Sequence, residues 1–145
     1  MQPVSSTWRS FRKRAEMLTD GAELDADLRA IRETYIEPGG AFFVGELDGE
    51  IVAMGAFKPV DSRTAEIKRM RVDPDHQRRG YGQRILDTLE ATATEREFTT
   101  FVLDTTARQT GARRLYEKNG YRETRRKTVG EYEMLFYRKS IEERI

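Results

Sequence analysis

With 145 residues, 37% of them apolar and 35% charged, the chain suits one domain around one core, and its apolar residues are too clustered for disorder. The net charge of +1 removes global basicity as an argument for nucleic-acid binding, and with no membrane-length apolar run and no signal-peptide pattern the chain reads as a soluble, cytoplasmic protein. The absence of cysteine excludes disulfides, zinc–thiolate sites and a thiol nucleophile, and a single histidine, His76, excludes a multi-histidine metal site.

Ser5, Ser6 and Thr7 can cap a first helix with Trp8, Phe11, Ala15 and Leu18 on its apolar face. Asp20-Gly21 breaks it. Leu24, Leu28, Ile31 and Tyr35 then repeat at helical spacing, and Pro38-Gly39-Gly40 ends a second helix. Residues 41–47 read as a strand, Asp48-Gly49 as a two-residue hairpin turn, and residues 50–57 as the returning strand. A third strand covers 64–72. Residues 83–97 form a helix with Ile85, Leu86, Leu89 and Ala93 on one face. The stretch TTFVLDT, 99–105, is a β-branched and aromatic strand. A short helix over 110–119 closes on Asn119-Gly120, and strands 121–126 and 131–139 make a last hairpin. The order ααβββαβαββ mixes a hairpin with a strand–helix–strand unit, which points to one α/β domain, 1–145, on a mixed sheet.

Charge is unevenly spread. Residues 68–84 carry a local net of +4, and residues 20–50 a local net of −7. Within the basic stretch, Gln77-Arg78-Arg79-Gly80-Tyr81-Gly82-Gln83 stands at the mouth of the 83–97 helix. A helix start leaves unpaired N–H groups at a partial positive charge, which favours phosphate. Glycines let those amides approach an anion, and the two guanidiniums add forked donors. The loop reads as a pyrophosphate cradle. A Rossmann fingerprint would need glycine where Ile85 stands, and a P-loop would need Gly-Lys-Ser/Thr.

The run QRRGYG resembles the Q/R-x-x-G-x-G/A signature of the GNAT family of N-acetyltransferases, and GARRLYEKNGY, 111–121, resembles that family's A-x-x-L-Y-E-K-x-G-F/Y helix. FVLDT lies between them where the family has its fifth strand. The resemblance runs from about Ala41 to Tyr121. It implies a mixed, mostly antiparallel sheet whose fourth and fifth strands splay apart, flanked by helices. It implies acetyl-CoA as co-substrate and no metal.

The resemblance also assigns positions. Backbone of Met70, Arg71 and Val72 would meet the pantetheine arm, and amides of Arg78, Arg79, Gly80, Tyr81, Gly82 and Gln83, behind Gln77, would meet the pyrophosphate. Tyr116 falls on the family tyrosine that protonates the departing thiolate. Glu66, in TAEIKRM, matches the glutamate that serves histone-acetylating members as general base. The family asparagine seven residues before the tyrosine is Gln109 here, one methylene longer. Asp104 and Thr105 end the fifth strand and face the cleft, toward cofactor or acceptor; Thr105 reads equally as a turn residue. The family's first strand is not evident, because 1–20 reads as helix. The chain is either a shortened variant or one whose start lies upstream, and the bare edge would let a homodimer form.

The acceptor is less defined. Asp20, Glu23, Asp25, Asp27, Glu33 and Glu37 would give a negative rim for a cationic amine, while Arg125, Arg126 and Lys127 would bind a carboxylate. A small amine or amino acid fits both. A protein lysine or N-terminus, or a non-catalytic acyl-CoA sensor, are the other readings. No nucleic-acid or membrane partner is expected, His76 is expected to face solvent, and Trp8 to anchor a helix.

Overall fold

In the computed structural model, which describes residues 2–3 and 29–141, Asp48 and Gly49 take φ of +52° and +82°. Positive φ at both central residues is the I′ geometry whose twist matches paired strands. Numbered after a two-residue strand at the start, β1 (Gln2–Pro3), they join β2 (Ala41–Leu47) to β3 (Glu50–Pro59), and β3 pairs in turn with β4 (Thr64–Val72). The expected later elements are present as α1 (Tyr81–Glu95), β5 (Thr100–Thr106), α2 (Thr110–Lys118), β6 (Arg122–Val129) and β7 (Tyr132–Ser140). The described residues form one seven-stranded sheet in the order β1-β2-β3-β4-β5-β7-β6, parallel only between β4 and β5.

One expectation is corrected. A first strand is present, because β1 pairs antiparallel with Phe43 and Val44. Proline and a length of two residues hid it from pattern reading, since only a partner strand defines so short a segment. The β2 edge expected to invite a second copy is therefore partly occupied. The first predicted helix and the start of the second lie outside the described residues. The end of the second appears as helical turns closing in a π-type segment, Arg32–Ile36.

The sheet buries apolar residues on both faces. On the front, α1 seats Ile85, Leu86, Leu89 and Ala93 against Phe43, Phe57, Ala65, Ile67 and Phe101, while Tyr116 of α2 joins Leu135, Tyr137 and Tyr121. On the back, Tyr35 and Ile31 cover Phe42, Val44 and Ala56. Gly55 permits the closest approach of α1, because a Cβ there would stand 2.5 Å from Ile85 Cγ2 and 2.7 Å from Met70 Sδ.

The outer half of β4 is irregular. The pairing steps from Ala56↔Lys68 to Met54↔Arg71, three residues against two, with Arg69 at φ +61°. This is a β-bulge. It moves the core-facing set from Ala65 and Ile67 to Met70 and Val72, which pack on the same front cluster. Without the extra residue, Arg69 and Arg71 would point into the core.

Candidate active site

The parallel ladder between β4 and β5 holds only Thr64↔Thr100, Ala65↔Phe101 and Glu66↔Val102. Beyond Glu66 the two strands diverge, and β5 continues to pair with β7 on its other side. The result is a fork whose arms are the bulged end of β4 and the second half of β5.

The β4 arm presents unpaired backbone. Arg71 Nη1 donates to the Met70 carbonyl at 3.0 Å, and Gln77 Nε2 to the Val72 carbonyl at 3.3 Å. Both carbonyls are thus held by exposed side chains rather than by a neighbouring strand, and a ligand amide could replace either donor. The next residue returns to the sheet, its Asp73 N–H donating to Val52 at 2.8 Å.

From there a short 3-10 turn, Pro74–His76, leads into the glycine loop. Gly80 is the N-cap of α1 at φ +83° with no side-chain cap, so the first-turn amides of Tyr81, Gly82 and Gln83 point outward unsatisfied. A Cβ at Gly80 would meet nothing within 4 Å, whereas one at Gly82 would lie 3.4 Å from Leu115 and 3.7 Å from Val72. Gly80 therefore serves backbone conformation, and Gly82 serves close approach. Arg78 and Arg79 are exposed, and Arg78 itself takes φ +64°. This cradle fits a pyrophosphate: a 15-residue helix ends on it, uncapped and flanked by guanidiniums.

His76 corrects an expectation. Its Nδ1 is buried without a hydrogen bond, 3.8 Å from the Asp73 carboxylate, and its ring lies 6.3 Å from that of Tyr81. It packs the loop down instead of facing solvent, because the 3-10 turn rolls its side chain inward. Gln83 has a side-chain role that sequence reading missed. Its amide pairs reciprocally with Asn119, both bonds at 2.8 Å, which clamps the start of α1 to the end of α2. Gln109 is exposed, and its Oε1 accepts from Thr105 Oγ1 and Thr106 N, closing the β5–α2 loop. Thr105 lies within β5, buried on the front, and uses its hydroxyl to hold Gln109 rather than to face the cleft.

Three tyrosines meet beside the fork, with Tyr116 5.8 Å from Tyr121 and 6.4 Å from Tyr137 between ring centroids. Tyr121 donates to Glu90 at 2.7 Å, and Tyr137 to Glu117 at 2.7 Å. Only the Tyr116 hydroxyl has no hydrogen-bond partner among the described residues. Burial pushes its phenol up to about 12, Arg71 pulls it back, and Asp104 pushes it further up. That influence places the hydroxyl in electrostatic reach of both arms, Arg71 on β4 and Asp104 on β5. Glu66 stands at the vertex on the back face, 3.9 Å from Lys58 and 4.0 Å from Lys68. Spacing alone could not separate Tyr116 from its two neighbours; their bonding does.

Residues 5–121 match the profile of the Acetyltransferase (GNAT) family. Human N-acetyltransferase 8 is 31% identical over 107 residues, covering 70% of this chain and 47% of its own length. Human N-acetylaspartate synthetase is 32% identical over 101 residues, covering 68% of this chain and 33% of its own. The chain thus spans less than half of either curated relative. The crystal structure of a GNAT family acetyltransferase from Elizabethkingia anophelis with acetyl-CoA bound shares the fold, with a TM-score of 0.63 at 22% identity over 77% of this chain and 82% of that one. A family match of this extent, on a sheet that forks after Glu66 beside an uncapped helix, makes this chain a member of the GNAT acetyltransferase family.

Proposed function

We propose that the protein is an acetyl-CoA-dependent N-acetyltransferase acting on a primary amine of a small molecule or amino acid. The observation that carries this reading is the fork itself. One arm offers the Met70 and Val72 carbonyls, held only by the side chains of Arg71 and Gln77, and the uncapped start of α1 lies at its outer end. The Tyr116 hydroxyl, without a hydrogen-bond partner among the described residues, feels the charge of Arg71 on one arm and Asp104 on the other. The amides of Arg78 to Gln83 would seat the pyrophosphate, and Gln77 and Arg71 would yield their carbonyls to the pantetheine amides.

In the transfer, the acceptor nitrogen bonds the acetyl carbon and the carbon–sulfur bond breaks. Glu66 takes the proton that the amine loses through an intervening water, and Tyr116 gives its proton to the departing sulfur. A phenol pushed up to about 12 remains protonated at neutral pH, so the donor is always loaded. That one relative is an N-acetylaspartate synthetase supports an amino-acid acceptor. Among the described residues no helix is long and apolar enough to cross a membrane, and no group of His, Cys, Asp and Glu is placed to hold a metal.

Titration calorimetry with acetyl-CoA, then thiol release with a panel of amines, tests this. Saturable binding and amine-dependent thiol release are expected. Gly82→Trp, which fills the gap toward Leu115 and Val72, is expected to lose the binding. A folded wild type that binds no acetyl-CoA would overturn the reading. Gly80→Ala probes the cradle separately. Forcing a non-glycine side chain to φ +83° costs on the order of 1 kcal/mol. Acetyl-CoA affinity is expected to fall about fivefold in the same titration.

A further inference from the structure

The ladder pairs lay out the back face of the forked half of the sheet in rows. Glu66 pairs with Val102, and Asp104 lies two residues further along β5, on the same face. Asp104 stands opposite Phe136 of β7, and Phe136 opposite Arg125 of β6. Arg125 lays its guanidinium over the Phe136 ring, 4.1 Å from the centroid. Asp104 and Arg125 therefore stand on one face with β7 between them, two strand spacings or about 10 Å apart at the backbone, and the Arg125 guanidinium leans over β7 toward β5.

Neither is neutralised. Among the described residues no cation pairs with the exposed Asp104 carboxylate, and no carboxylate meets Arg125. The contrast with the next residue is informative. Arg126 pairs with Leu135 and so belongs to the opposite face, where Glu123 and Glu133 hold it, the latter at 2.6 Å. Of the two adjacent arginines, one is spent within the hairpin and one is left open beside the fork. Stacking on Phe136 orients the Arg125 fork in advance, which reduces the ordering cost of binding an anion. Asp104 also acts on the Tyr116 hydroxyl. It is therefore an unpaired carboxylate on the β5 arm of the fork, on the side where an amine would meet a thioester whose sulfur lies at Tyr116.

We propose that Asp104 and Arg125 are the two anchors of the acceptor, and that the acceptor is a free amino acid, its amine hydrogen-bonded to Asp104 and its carboxylate paired with Arg125. This rests on the acetyl-transfer reading of the same fork. Glu66 cannot substitute for Asp104 as the amine anchor, because Lys58 and Lys68 already share its carboxylate. The geometry sets a reach as well: amine and carboxylate must lie within a few bonds of each other to touch both anchors.

The test compares free L-amino acids with their carboxamides as acceptors, at saturating acetyl-CoA, by thiol release. At least one amino acid is expected to exceed its carboxamide by about tenfold in kcat/KM, the order of one charge-assisted pair. Arg125→Gln is expected to collapse that ratio toward one, mainly through KM. Asp104→Asn is expected to raise KM for acid and amide alike and to leave their ratio standing. Both sites are exposed, and unchanged melting temperatures would establish that the variants fold. An amide equal to or better than its acid, acetylation of none of the amino acids, or an Arg125→Gln variant that keeps the ratio would each overturn the proposal, while acetyl-CoA binding would leave the transfer reading intact. Absence of acetyl-CoA binding would overturn both.

Discussion

Tyr116→Phe is expected to lower kcat by about 100-fold or more, the usual loss when a positioned general acid is removed. Acetyl-CoA binding should stay near wild type, since the ring and its edge contact with Tyr121 remain. Stability should also stay near wild type. The hydroxyl has no hydrogen-bond partner among the described residues, so its loss orphans nothing. Tyr121→Phe and Tyr137→Phe should behave in the opposite way, each losing a hydrogen bond to a glutamate, Glu90 or Glu117, with a cost in melting temperature. The pH profile gives a further check. The neutral phenol is the donor, and it is lost only as pH rises through about 12. Between pH 6 and 10 the deficit of the variant should therefore be constant. An unchanged kcat would remove Tyr116 from the chemistry, and a deficit that vanishes on the alkaline side would place the acid elsewhere.

Gly55→Val is expected to cost about 3 kcal/mol of stability, the upper part of the range for overpacking a close-packed core. The first added carbon alone would sit 2.5 Å from Ile85 Cγ2, 2.7 Å from Met70 Sδ and 3.1 Å from Leu89 Cδ1. Two of these belong to α1 and one to the bulged arm of β4. Relief must push one of them away, so acetyl-CoA affinity should fall along with stability. Chemical denaturation of the Gly55→Val, Ile85→Ala and double variants separates cause from coincidence. Ile85 is fully buried, and Ile85→Ala alone should cost about 2–5 kcal/mol. If the clash is with Ile85, the double variant should be less destabilised than the sum by about 1 kcal/mol or more. Strict additivity would show that the valine acts elsewhere.

Much of the fold was legible because its signals are local. Asp48-Gly49 specified a I′ turn, and with it the strands on either side. The face of Ile85, Leu86, Leu89 and Ala93 specified α1 and its buried side. Asn119-Gly120 marked the end of α2, with Gly120 at φ +92°. Even the β4 bulge left a trace, since the apolar alternation slips from Ala65 and Ile67 to Met70 and Val72. Pattern alone gives 64–72 as an unbroken strand, because a one-residue slip is easily read as a polar position. The two motifs of the family resemblance, QRRGYG and GARRLYEKNGY, carried the family and the fold correctly.

The features that stayed hidden depend on partners far along the chain. The β1 strand exists only against Phe43 and Val44. The inward turn of His76 depends on its packing beside Tyr81, and the second role of Gln83 depends on Asn119. The open state of Arg125 beside a spent Arg126 depends on which face each takes across from β7. Amino-acid order by itself determined the elements, the turns and the exposed amides at the mouth of α1, since periodicity, φ preference and helix-end chemistry act over a few residues. Only the tertiary structure decided where β4 and β5 part and which tyrosine stands unbonded beside the gap. Both outcomes are set by pairing and burial among residues tens of positions apart, and these act only once the sheet has closed around its core.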